Sequence, residues 1–357
     1  MKKIVLFLVL VSMVTGLAQA QTAQVRKLWE KKFPGAVLGH FYDEALGEPR
    51  ITLDVEKAGR LVFDSIGNEK RLPAPTEIPT SVDSGWVTVV SSDGERIIGV
   101  KGAYRTLEAD GEIGGGRDAR IFICDRSRKL IARVPIPYLS LVRVSALRIY
   151  AVVQNDETGE SQLIAFDRDG RELWRKREAV NYTVNIACAD DGTLFSVEAH
   201  GTPSAKTWWA RFYDKDGKVV NEVELNGETE CWYKKAVISQ DGKEAVYLWH
   251  ASNRDKLYFI HRDVPGVIAK LSKTHSEEFP IWRISMSPNG KYLLADVANS
   301  HLPDSQYESR IVLYNMQGEE LWSYPIKGIT KPKFGGNRYL LIPADYGPVF
   351  KLFKIED

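Results

Sequence analysis

The stretch Leu163-Ile164-Ala165-Phe166-Asp167-Arg168-Asp169-Gly170-Arg171-Glu172-Leu173-Trp174 decides the fold. It opens as an apolar strand, passes through an Asp-x-x-Gly turn and starts a second strand at Glu172. Asp opens a tight turn by bonding its own backbone, and Gly supplies the positive φ. The segment reads as a β-hairpin. The same spacing returns at Asp64–Gly67, Asp214–Gly217, Asp263–Gly266 and Asn315–Gly318, each behind a short strand. A sixth copy at Asp125 keeps the spacing but has Arg128 where the glycine would stand.

A second turn lies upstream of most copies: Asp93-Gly94, Asp191-Gly192, Asp241-Gly242, Asn289-Gly290 and Gly336-Asn337. Two hairpins per unit give four strands, at a period of roughly 40 to 60 residues, and no helical periodicity of useful length interrupts them. The units fall at 36–75, 82–135, 137–178, 181–225, 229–271 and 278–326. After Lys331 only three strands remain. Lys27–Phe33 resembles the outer strands at Glu172–Arg175 and Glu320–Ser323, so a seventh unit is expected from 330–357 plus 24–33. The expected fold is all-β, a seven-bladed ring closed by the N-terminal strand. The region Ser145 to Tyr150 lacks an Asp-Gly turn, which leaves six or eight blades open.

At this point a resemblance emerges. Leu163–Trp174 resembles the PQQ-like repeat of β-propellers, and Ser287–Leu293 resembles the inner hairpin of WD40-like and TolB-like propellers. The resemblance covers nearly the whole chain after residue 20. It implies that the first strand of each blade lines a central channel and the fourth lies outermost. It also implies one face built of interblade and second-to-third-strand loops, with the Gly turns on the opposite face. Quinone-dependent dehydrogenases of this repeat type carry adjacent cysteines beside the cofactor. Here Cys124, Cys188 and Cys231 are scattered, so no quinone and no other cofactor is expected.

Lys2 and Lys3, the apolar run from Ile4 and the small residues ending Ala18-Gln19-Ala20 form a secretory signal pattern, with cleavage near Ala20. The run is shorter than the roughly 20 apolar residues of a membrane span, so no stable membrane insertion is expected after cleavage. The expected location is the periplasm or the exterior, with a single domain over 21–357. Cleavage would take Lys+Arg from 48 to 46 against 47 Asp+Glu, a net charge near −1. That balance lacks the basic footprint of nucleic-acid binding. The odd cysteine count leaves at least one thiol unpaired or paired with another chain.

The loop face gathers the candidate binding residues. His200 and His250 each stand eight residues after a turn glycine, Gly192 and Gly242, and His301 lies a little beyond that offset in the next unit. The loops entering the fifth and sixth blades add Glu230 and Trp232, then His275, Glu278 and Trp282. Imidazole and carboxylate side chains could hold a divalent metal if three or four converged on one ion. The competing reading is a polar surface whose histidines bond to backbone or water. The glycine-rich stretch Tyr104–Asp118 reads as a flexible loop or extended hairpin, since no Gly-Lys-Ser/Thr or helix follows it. No G-x-S-x-G, H-E-x-x-H, C-x-x-C or dinucleotide motif is present. The expected role is a non-catalytic scaffold binding a protein or peptide; the alternative is a metal-assisted hydrolase or lactonase-like enzyme at the channel mouth.

Overall fold

A computed structural model describes residues 23–33, 37–45, 48–55, 59–64, 66–71, 86–91, 95–101, 113–114, 118–125, 127, 129–155, 160–178, 182–202, 205–225, 233–251, 254–274, 280–298, 308–327, 332–344 and 349–356. The described residues form seven antiparallel sheets. Blade one comprises Val37–Ala45, Glu48–Val55, Gly59–Phe63 and Glu69–Arg71; blade two, Trp86–Val90, Arg96–Lys101, Arg120–Asp125 and Leu130–Pro135. Blade three comprises Leu139–Val144, Ile149–Asn155, Glu160–Phe166 and Glu172–Glu178; blade four, Tyr182–Cys188, Leu194–Thr202, Ala205–Tyr213 and Val219–Glu224. Blade five runs Tyr233–Ile238, Glu244–His250, Arg254–His261 and Val267–Thr274; blade six, Ile281–Met286, Tyr292–Ala298, Glu308–Asn315 and Glu320–Lys327.

The seventh sheet closes the ring. Lys333–Gly335, Tyr339–Ala344 and Val349–Glu356 are joined by Gln24–Lys32, which pairs antiparallel with the last strand from Gln24↔Glu356 to Lys32↔Val349. The two ends of the chain therefore share one sheet, and its outer edge is the N-terminal strand. The missing Asp-Gly turn at Ser145 does not change the blade count. There the Ser145 hydroxyl accepts from Leu147 N and Arg148 N and closes a shorter turn.

Among the described residues, blades two to seven carry apolar side chains that neighbouring blades bury. Separate buried clusters join blades two and three, three and four, four and five, five and six, six and seven, and seven and one. Trp174, for example, leaves the outer strand of blade three and stacks on Tyr213 of blade four, with Nε1 donating to Lys215 O at 3.1 Å. Trp29 meets Phe63 of blade one at a tilt, and Trp322 meets Phe353 of blade seven edge-on. The outer-strand tryptophans are interblade packing.

Turns on one face add a polar collar. Ala146 N donates to Asp190, Gln240 Nε2 to Asp190, Gln240 N to Pro288 O, and Asn289 N to Asn337, linking blades three to seven. The glycine-rich stretch contributes something the sequence did not suggest. Ile113–Gly114 pairs with Leu141 and Val142, adding a fifth strand at the inner edge of blade three; residues 102–112 and 115–117 lie outside the described residues.

Candidate functional site

His200 and His250 share an offset from their turn glycines but not a blade face. In blade four the inner turn closes from Ala189 N to Thr193 O; in blade five it closes one residue later, from Ser239 N to Glu244 O. Side chains alternate with a period of two along a strand, so a one-residue difference reverses the facing. Glu198 and His200 consequently lie on the face of blade four that packs on blade three, beside Tyr213 and Leu194. His250 lies on the face of blade five that meets blade six, in line with Val246 and Leu248. The two imidazoles therefore face different interblade seams and do not converge on one ion.

His250 is nonetheless part of a defined arrangement. It ends the second strand of blade five, opposite Asp255 at the start of the third. Its Nδ1 stands 2.5 Å from Asp255 Oδ1, while Asp255 Oδ2 accepts from Ile281 N of blade six at 2.5 Å. Asp255 is buried, and fixes both the imidazole orientation and the entry of the next blade. Trp282 follows immediately. It is the extra residue of a bulge between Ile281↔Val297 and Arg283↔Asp296, which re-aims its side chain. Its ring lies 5.8 Å from that of His250, and Nε1 donates to Ala298 O at 2.9 Å. Half-buried Trp282 is held on three sides. His250 and Trp282 are thus brought together; Glu230, Trp232, His275, Glu278 and His301 lie outside the described residues.

Around His200 the chemistry is a satisfied carboxylate. Glu198 is buried and accepts from Ser196 Oγ at 2.6 Å, Tyr213 Oη at 2.7 Å and Arg211 Nη1 at 2.7 Å, with His200 Nε2 at 3.3 Å. Burial pushes the carboxyl pKa up, but the hydrogen bonds from His200, Ser196 and Tyr213 and the Arg211 charge outweigh it and hold the group below its ordinary value. Burial and the adjacent carboxylate drive the Tyr213 hydroxyl upward, so it stays a donor. Among the described residues, no three His, Cys, Asp or Glu side chains are grouped to hold a metal ion.

Sequence reasoning missed the channel. Residues from the inner strands of blades three to seven line a cavity of about 320 Å³ that contains four cationic side chains: Arg143, Lys235, Arg283 and Lys333. No Asp or Glu is among its described lining residues. Lys235 and Arg283 occupy equivalent positions, each four residues before the turn serines Ser239 and Ser287. Arg143 Nε donates to Ile186 O at 2.9 Å, and Arg283 Nη1 lies 3.8 Å from Asp296 Oδ2. Cys188 also lines the cavity; burial pushes its thiol up to about 12 against the lowering charge of Arg143, so it stays protonated near neutrality. Apart from the shared offset of Lys235 and Arg283, no sequence signal marks these cations, because they come from separate blades and meet only when the ring closes.

No protein-family profile matches the chain. No curated protein matches it either. Solved structures do. The WD40 domain of SCAP from fission yeast aligns with 94% of this chain and 95% of its own, at 9% identity and a TM-score of 0.50. The Dos1 propeller aligns over 92% and 95% at 9% identity and a TM-score of 0.46. BamB from Moraxella catarrhalis aligns over 86% and 82% at 12% identity and a TM-score of 0.44. No helix among the described residues is long and apolar enough to cross a membrane. Seven four-stranded blades, one sealed by the N-terminal strand, and the likeness to a WD40 domain identify the chain as a β-propeller.

Proposed function

We propose that this chain is an exported, non-catalytic binding scaffold that holds a protein or peptide on its loop face. The observation that carries the reading is the His250–Trp282 pair, a half-buried indole fixed by a bulge, a hydrogen bond and a buried imidazole–carboxylate pair. Protein interfaces draw much of their affinity from such pre-set aromatic anchors. Trp232, His275, Glu278 and His301 would extend the same surface. Export rests on the leader pattern at residues 1–20. The test is capture from a periplasmic extract with wild-type protein and the folded H250A/W282A double variant. Loss of the same partner from the variant supports the reading; identical capture by both defeats it.

One observation favours a second reading. An imidazole oriented by a buried carboxylate, as His250 is by Asp255, is the form a general base takes. A lactonase-like or metal-assisted hydrolase would use it at the channel mouth. Stoichiometric zinc, calcium or copper in protein purified without added metal would favour that enzyme.

A further inference from the structure

We infer that the inner edge of blade three is a docking site for an extended peptide, which adds to Leu139–Val144 as a strand in place of Ile113–Gly114. Among the described residues, blade three alone carries a fifth strand; the other sheets have four. That strand comes from the glycine-rich stretch of blade two and pairs antiparallel, Leu141 with Gly114 and Val142 with Ile113. It is two residues long against a six-residue partner. Its continuation in the sequence is Gly115-Gly116. Glycine is a poor strand former, with the most backbone freedom to lose and no side chain to pack. The edge is therefore held by a weak, short strand. Sheet edges take up extended peptides through main-chain hydrogen bonds, and a longer segment in register makes more of them than Ile113–Gly114 can.

A second feature marks the same edge. Tyr138, immediately before the strand, has φ +58°, the one positive value at a non-glycine position among the described residues. A left-handed backbone is strained for a bulky residue and persists only where the surroundings impose it; such strain gathers at ligand clamps and active sites. Here the surroundings are identifiable. Tyr138 O accepts from Gln154 N at 2.9 Å, Ile136 N donates to Ala119 O at 2.9 Å, and Ile136 and Leu139 are buried on either side. Ala119 leads from the glycine-rich stretch into Arg120–Asp125, so the base of that stretch is bonded to the strained turn. Ser140 is then the extra residue of a bulge between Leu139↔Val153 and Leu141↔Val152, a device that re-aims a strand beside a site. This edge belongs to blade three, whereas His250 and Trp282 stand on blades five and six, so either proposal can fail alone.

The probe is a fluorescein-labelled hexapeptide of alternating threonine and valine, with its fully N-methylated counterpart, which cannot donate hydrogen bonds, as the control. Fluorescence anisotropy should show saturable binding of the first and none of the second. I113P/G114P removes both N–H groups of the resident strand and should bind the peptide about tenfold more tightly than wild type, the scale of one or two net hydrogen bonds no longer displaced. Hydrogen exchange of wild type saturated with peptide should show Ile113 and Gly114 losing protection while Leu139–Val144 keeps it. That measurement keeps the test decisive if I113P/G114P fails to fold. H250A/W282A should bind the probe as wild type does. Equal binding of the N-methylated peptide, no gain in folded I113P/G114P, or unchanged exchange at Ile113 and Gly114 under saturating peptide would overturn the inference.

Discussion

Gly217 adopts φ +81°, and a β-carbon there would meet the Trp174 ring at 2.8 Å. Gly266 has the same backbone, φ +82°, but open space within 4 Å. The pair separates two costs. Gly266→Ala should lose about 1 kcal/mol, the left-handed penalty alone. Gly217→Ala should lose about 2–4 kcal/mol, because the indole must also move. Urea midpoints at fixed slope measure both. Glu198 supplies the pH dependence. Its folded pKa is lowered, so its contribution is complete above the unfolded value of about 4.3 and is lost as pH falls through the folded one. Wild type should therefore lose stability on acidification more steeply than E198Q. At neutral pH the substitution, which breaks a buried charge network, should itself cost roughly 3 kcal/mol.

The hairpins were legible because their turn chemistry is local. Asp64, Asp167, Asp214 and Asn315 each accept from the backbone N–H groups two and four residues on, through one side-chain oxygen. The inner turns use a second device that was harder to read. Ser239 Oγ accepts from Lys243 N and Glu244 N, and Ser287 Oγ from Tyr292 N, in the role that Ser145 plays without an Asp-Gly pair. Ser239→Ala should cost about 1–2 kcal/mol in chemical denaturation, since it removes the acceptor of the part-buried Glu244 amide, while Lys243 N keeps Asp241 Oδ1. The outer strands carry another repeated feature. A bulge inserts Ile131, Leu173, Val220, Ile268 or Leu321 just after the turn in blades two to six, and Leu28 is bulged out of the N-terminal strand in blade seven. Blade one instead has the short charged strand Glu69–Arg71. Bulged, short and charged edges all discourage pairing between molecules. Val220 is 45% exposed, and Val220→Lys should change stability by no more than about 0.5 kcal/mol.

At the scale of the whole molecule, legibility ends where contacts depend on the closed ring. The likeness of Lys27–Phe33 to later outer strands was enough to foresee closure, because equivalent strands bury equivalent side chains. The facing of His200 and His250 was not, since it turns on one residue of turn length far from either. The channel cations were invisible for the same reason: no segment contains more than one of them. Closure also governs stability. The N-terminal strand buries Trp29 and Phe33 against Leu61, Phe63, Leu341, Phe350 and Leu352, joining the seventh blade to the first. Hydrogen exchange tests this most directly. The amides of Gln24–Lys32 that bond Val349–Glu356 should be protected to the same degree as the amides of Val349–Glu356 that bond back to them, and both strands should open together. Rapid exchange along Gln24–Lys32, while Val349–Glu356 and the other blades stay protected, would contradict a ring sealed by its first strand.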